Sequence, residues 1–317
     1  MFYICSMLGL HTVWFKNDLR VHDHAALRAA GQSAERDGGR VIALYIFDPD
    51  AWDAATPMRR QFLVESLRDL QVALDRRGAQ LHIRYGAAVE IFSELHRSHR
   101  VLSIHTHETP ETHVSDRPLE AWAMRAGVAL RVHQQYGPLP TQSGFFDVDS
   151  DWEAFMSEPR REAADVSHAA NVGVGYWPDM IDNDHKEASS VAGGRRVAID
   201  TLRSILGSPS SAGASDPMVA MSGREAYQAL KPYLDIGALS VRETWQAAMS
   251  TRQQYQKSGH ELRAATLASF IQCLPALHLD KYRRQSARRG ASKSGAWRSS
   301  PGQTQQMSFG FQDPKQA

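Results

Sequence analysis

Lys16, Asp18, Arg20 and Asp23 fall within eight consecutive positions, directly after the strand-forming run Thr12–Phe15. A strand that delivers such polar groups to a helix N-terminus could build a ligand crevice. In an open α/β sheet, ligands sit outside the carboxyl ends of the strands, which is where this cluster falls. The plainer alternative is an Arg–Asp pair that closes on itself and pins the turn. A second group, His105-Thr106-His107-Glu108-Thr109-Pro110-Glu111-Thr112-His113, trails a later apolar run. Histidine and glutamate at short spacing are metal ligands in principle. On an extended strand, however, His105 and His107 share one side and Glu108 takes the other. A common ligand set would need a sharp turn, so no metal is expected, and the alternative is a solvated polar loop.

The elements that must position these groups are legible from periodicity. Thr12–Phe15, Val41–Phe47, Leu81–Tyr85, Val101–Thr106 and Val128–Val132 read as strands. Between them, Arg59–Arg77 carries Leu63, Leu67, Leu70 and Leu74 as one apolar stripe, and Val89, Phe92 and Leu95 mark another helix. Ser115–Ala126 is helical before Gly127. Strands alternating with helices predict a doubly wound parallel sheet of Rossmann or flavodoxin type. Further on, short helices are expected at Trp152–Met156, Val197–Leu206, Arg224–Leu234, Val241–Met249 and Leu262–Leu274. Leu230, Leu234 and Leu239 read as core about a turn at Gly237. The expected organisation is an α/β domain over 11–134, a connection over 135–192, a partial all-α domain over 193–282 and a disordered basic tail over 283–317.

The order Trp14-Phe15-Lys16-Asn17-Asp18-Leu19-Arg20-Val21-His22-Asp23-His24 resembles the opening of the photolyase/cryptochrome family, in which the turn follows the first strand of the antenna-binding domain. Lys16 stands where the family usually has Arg. The 105–113 stretch resembles the family loop in which an acidic residue faces a folate or deazaflavin antenna pigment. Glu108 maps to that residue and Asp116 to the loop's Asp, while Ser115 replaces its Arg. The resemblance thus implies an antenna crevice lined by Lys16, Asp18, Arg20 and Glu108. Pro232 to Glu243 resembles the family's flavin-phosphate motif. Its cradling small hydroxyl residues are replaced by Tyr227, Gln228 and Lys231 around Leu230, although Lys231 could offer a phosphate a point charge. Leu267–Gln272 faintly resembles a later family helix. The implied chemistry is light-driven, FAD-dependent repair of pyrimidine dimers in DNA, or blue-light sensing. The family's catalytic half normally continues past residue 317, so the expectation is a truncated member that binds FAD weakly or not at all.

Composition narrows the alternatives. The net charge of +1 makes no whole-molecule case for nucleic acid, although Lys281–Arg298 carries seven Lys or Arg and no acid. Two cysteines, Cys5 and Cys273, give no disulfide framework and fit a cytoplasmic, reducing setting. The apolar start Met1–Leu10 is too short to span a bilayer and lacks the marks of a signal peptide. Neither GxxxxGK[ST] nor GxGxxG follows a strand, which argues against a nucleotide-dependent transferase on the same sheet. A monomer is expected, with no membrane partner. The competing function is a non-catalytic chromophore- or nucleotide-binding α/β module.

Overall fold

The structure is a computed structural model that describes residues 9–109, 117–137, 148–162, 166, 169–170, 177, 191–207 and 221–275. Five parallel strands, β1 (Leu10–Phe15), β2 (Arg40–Phe47), β3 (Leu81–Tyr85), β4 (Val101–His107) and β5 (Ala129–His133), lie in the order β3-β2-β1-β4-β5. The order reverses between β1 and β4, and that switch point is where a doubly wound sheet opens a crevice at its carboxyl edge.

Alternation along each strand feeds two cores. Val13 and Phe15 of β1, with Val41, Ala43 and Phe47 of β2, pack beneath α1 (Ala25–Asp37) and α3 (Pro57–Asp75). The short α2 (Pro49–Asp53) adds Trp52 to that core. Trp14, Leu44 and Ile104 face the other way, beneath α4 (Ala88–His99) and α5 (Arg117–Ala126). The stripe on α3 is wider than its leucines suggest. Leu67, Leu70 and Leu74 are buried together with Phe62 and Val64, while Leu63 is only partly buried.

The helical part begins with α6 (Val148–Ser157) and continues with α7 (Arg195–Leu206), α8 (Gly223–Asp235), α9 (Val241–Lys257) and a last helix described over 261–275. Trp152 and Met156 of α6 bury into one core with Ala198, Leu202, Tyr227, Leu230, Tyr233, Leu234 and Trp245. Helix α9 runs to Lys257 rather than Met249, because Tyr255 provides a further fully buried anchor whose hydroxyl donates to the Leu206 carbonyl at 3.1 Å. Helix α7 starts two residues before its apolar pattern does. Its first N–H groups, on Gly193, Gly194 and Arg195, donate to the Glu65, Ser66 and Asp69 side chains of α3 at 2.6, 2.9 and 2.9 Å. Acidic groups at a helix N-terminus satisfy orphan donors and suit its dipole. Here another helix, distant in sequence, supplies them. Among the described residues, no helix is long and apolar enough to cross a membrane. The expected loop positions Ser115 and Asp116 and the basic stretch Lys281–Arg298 lie outside the described residues.

Candidate functional site

The turn after β1 is closed from inside. Asp18 Oδ1 accepts from the Lys16 backbone N–H at 2.7 Å, which aims the other carboxylate oxygen along the switch point. There Oδ2 receives His107 Nδ1 of β4 at 2.7 Å and faces His24 Nε2 at 3.0 Å. All three side chains are at most 1% exposed. Burial opposes ionisation of Asp18, but the electrostatics of His24 and the hydrogen bonds from both imidazoles outweigh it. The carboxyl is held well below the usual range. Burial, with the neighbouring His24 adding to it, outweighs the carboxylate beside His107, whose pKa falls to about 3.

Asp18, His24 and His107 are of metal-ligating type and their ligand atoms lie close together. Their hydrogen bonding favours a different reading. His24 caps α1 by accepting the Leu27 N–H on Nδ1 at 3.0 Å, so in the neutral ring Nε2 carries the hydrogen, facing Asp18. A ligating histidine needs the reverse, a bare nitrogen toward the metal and a donating one behind. The cluster reads as a hydrogen-bonded brace between β1, the start of α1 and β4.

Arg20 and Asp23 turn away from solvent and toward the helical part. Arg20 donates to the Gly237 carbonyl at 2.9 Å and the Asp23 carbonyl at 3.2 Å. Asp23 adopts a left-handed backbone (φ 46°), and its Oδ1 accepts from Arg242 at 3.0 Å and from the Arg161 N–H at 3.1 Å, while Oδ2 pairs with the Ser240 hydroxyl. Leu19 N–H donates to the Ile236 carbonyl at 3.1 Å and Asn17 Nδ2 to that of Asp235 at 3.1 Å. Gly237 makes this approach possible: a Cβ there would lie 2.2 Å from the Asn17 carbonyl oxygen. The two motif-bearing stretches of the sequence, 14–24 and 232–243, are thus each other's partners. The Arg–Asp alternative for the first was half right, since the arginine that pairs Asp23 is Arg242, 219 positions away.

The other candidate residues are dispersed. Lys16 lays its ammonium 4.3 Å from the centroid of the Trp14 ring. Glu108 is half-buried at the end of β4, where its carboxylate accepts the Gln135 N–H at 3.4 Å. Gln135 ties this corner together, donating to the carbonyls of Glu108 at 3.1 Å and Asn17 at 3.5 Å while its Oε1 meets both Arg20 nitrogens at 3.5 Å. Sequence reasoning missed it, although a polar residue just past β5 on the carboxyl edge was the available signal. His105 and His107 belong to β4 and are buried, which corrects the solvated-loop alternative for them. Of the second candidate group, Tyr227 and Leu230 are core residues, Gln228 is exposed, and Lys231 pairs with Asp235 one turn on.

A profile of the DNA photolyase family matches residues 11–139, the span that contains the whole sheet. Over that span the chain is similar to the DNA photolyase family. Within it, 128 residues are 37% identical to a cryptochrome DASH of Gloeobacter violaceus, covering 38% of this chain and 25% of that protein. The chain therefore spans about a quarter of that relative. An uncharacterized 31.6 kDa protein of a Synechococcus species is 24% identical over 267 residues, which is 75% of this chain and 89% of that one. Among solved structures, a cryptochrome from Synechocystis superposes with a TM-score of 0.67 at 20% identity, covering 88% of this chain and 62% of that one. The photolyase-type fold thus extends through the helical part as well as the sheet.

Proposed function

We propose that this photolyase/cryptochrome-family chain works as a chromophore- or nucleotide-binding module, with the α/β domain as its functional unit. In this reading the 227–231 positions do not cradle a flavin pyrophosphate. One observation carries it: Tyr227 and Leu230, where such a cradle would stand, are built into the helical core, and Lys231 is already paired with Asp235. A phosphate site needs backbone N–H groups and small hydroxyls at a helix start. Helix α8 instead starts at Gly223, where its own Ser222 and Glu225 form a capping box. Each lost hydrogen bond to a charged partner costs roughly 1.5–3 kcal/mol, so two absent contacts lower affinity by about a hundredfold or more. Purifying the chain with added FAD and removing the excess tests this; a stoichiometric yellow complex would refute it.

Light-driven repair of pyrimidine dimers in DNA, the chemistry of the family, requires that flavin and stands or falls with the same measurement. A folate-like or deazaflavin ligand is the alternative occupant, at the carboxyl edge near Lys16 and Glu108. Glu108→Gln should weaken binding of a folate-like ligand by removing the carboxylate charge, and an unchanged titration would reject that position. We place the protein in the cytoplasm as a monomer, which fractionation and light scattering would check.

A further inference from the structure

A second polar chain runs through the α/β domain behind the Asp18 brace, and neither the docking of the helical part nor the flavin question accounts for it. Strand β4 turns Ser103, His105 and His107 toward α1, a face that a parallel sheet normally fills with aliphatic side chains. Ser103 Oγ sits between two imidazoles, 2.7 Å from His11 Nδ1 of β1 and 2.8 Å from His105 Nε2. His11 Nε2 reaches Asp37 Oδ1 at 3.0 Å, and His105 Nδ1 reaches His133 Nε2 of β5 at 3.3 Å. His11, Ser103 and His105 are buried, whereas both ends open outward: Asp37 is 39% exposed and His133 half-buried.

The direction of every bond follows from one end. Asp37 as a carboxylate can only accept, so His11 donates from Nε2. A neutral His11 then offers Nδ1 as acceptor, and Ser103 spends its single hydroxyl hydrogen on it. The Ser103 oxygen in turn accepts from His105 Nε2–H, whose Nδ1 accepts from His133 Nε2–H. No donor or acceptor is left in conflict.

We propose that His133, His105, Ser103, His11 and Asp37 form a proton wire that carries protons between the carboxyl edge of the sheet and solvent at its amino edge. A proton added to the far nitrogen of His133 displaces Nε2–H to His105. That ring passes its own to Ser103, the hydroxyl hydrogen moves to His11, and His11 Nε2–H goes to Asp37. One proton enters, one leaves, and each ring ends as the opposite tautomer; rotation of the hydroxyl and the rings, not a back-hop, resets the path for the next proton. Charge does not rest on the two rings nearest the carboxyl edge: burial holds His105 at about 3 and His133 at about 4, with neighbouring positive groups adding to the effect. Gly39 leaves room for the terminal ring, since a Cβ there would lie 2.9 Å from His11 Nε2. The function this adds is that of a proton sink for whatever group binds at the carboxyl edge, and it stands independently of the flavin reading.

Solvent exchange of the imidazole N–H groups, read by NMR on the histidine-labelled full chain, tests the wire. His105 Nε2–H should exchange faster than the Ile104 backbone amide beside it, because hopping needs no opening of the sheet. Ser103→Ala should slow that exchange roughly tenfold or more, and leave the His24 and His107 signals in place. Asp37→Asn, at the exposed end, keeps the fold and blocks the terminal acceptor, so it should slow His105 as well. If His105 exchanges only at the rate of the Ile104 amide, or keeps its rate in Asp37→Asn, the chain is a static structural network and the proposal is overturned.

Discussion

The β1–α1 turn and the 227–231 stretch both carry residues that a ligand could use, and the fold treats them in opposite ways. In the turn, charged groups are buried and partnered: Asp18 by two imidazoles, Arg20 by carbonyls through its terminal nitrogens, Asp23 by Arg242 and Ser240. In 227–231 Tyr227 and Leu230 are core, and the single charge sits in a pair about one-third exposed within one helical turn. Polar chemistry survives burial in the first region because Asp18, Arg20 and Asp23 each find a partner from another element. In the second, tyrosine and leucine replace that need with packing. A ligand-like cluster of charges is therefore evidence of docking when a second element reaches it.

The sharpest way to break the contrast is to remove the arginine. Arg242→Leu leaves the Asp23 carboxylate buried without its ion pair and also releases Glu158 and the Phe155 carbonyl. We expect a loss of roughly 3–5 kcal/mol in urea unfolding. A loss below 1 kcal/mol would show that the contact is ornamental.

Gly237→Ala attacks the same contact from the backbone. The new methyl would meet Asn17 and Asp18 at a position whose φ is +67°. The expected cost is roughly 1–3 kcal/mol. Faster hydrogen exchange at the Leu19 amide, which bonds to the Ile236 carbonyl, should accompany it; unchanged exchange would place the strain elsewhere.

Acid should loosen the turn before it touches 227–231. His105 and His107 at about 3 and His133 at about 4 are depressed from 6.5, so the unfolded chain binds protons more readily than the folded one. Their contribution is complete above about pH 6.5 and is lost as the pH falls toward 3. Asp18, held well below its ordinary range, adds stability that is lost only as the pH falls below that ordinary range, beneath the pH 7 to 4 span. Thermal melts from pH 7 to 4 should show a falling Tm, and His107→Asn should flatten that slope. An equal slope in the variant would remove His107 from the account.

The smallest effect belongs to the other region. Lys231→Ala deletes a pair whose side chains are each about one-third exposed, so stability should change by less than about 0.5 kcal/mol. A larger loss would mean that Lys231 has a further role.

The alternation of strands and helices was legible because periodicity is a local property: Leu67, Leu70 and Leu74 announce α3 from within eight residues. The parallel, doubly wound class and the carboxyl-edge position of residues 16–24 followed from the same pattern, whereas the strand order β3-β2-β1-β4-β5 came only with the structure. The partners were not legible. Asp18 meets His107 across 89 positions and Asp23 meets Arg242 across 219. Nothing in the neighbourhood of either residue encodes the other. His24 as a helix cap was equally hidden, since serine, threonine, asparagine and aspartate are the usual signals. One clue was present in the run Ser103-Ile104-His105-Thr106-His107, where polar groups alternate in a strand that must be covered on both faces.

The borrowed cap of α7 sets an order of assembly. The three N–H groups at its start are satisfied by Glu65, Ser66 and Asp69, residues made more than 120 positions earlier. A ribosome releases the chain amino end first, and domains form as they emerge. When Gly193 leaves the exit tunnel, the receptor for it on α3 has long been in place, packed and exposed. The reverse sequence of events would leave α7 fraying at its first turn, with nothing of its own to close it. In this chain the sheet half therefore acts as a template on which the later helices are laid down in turn.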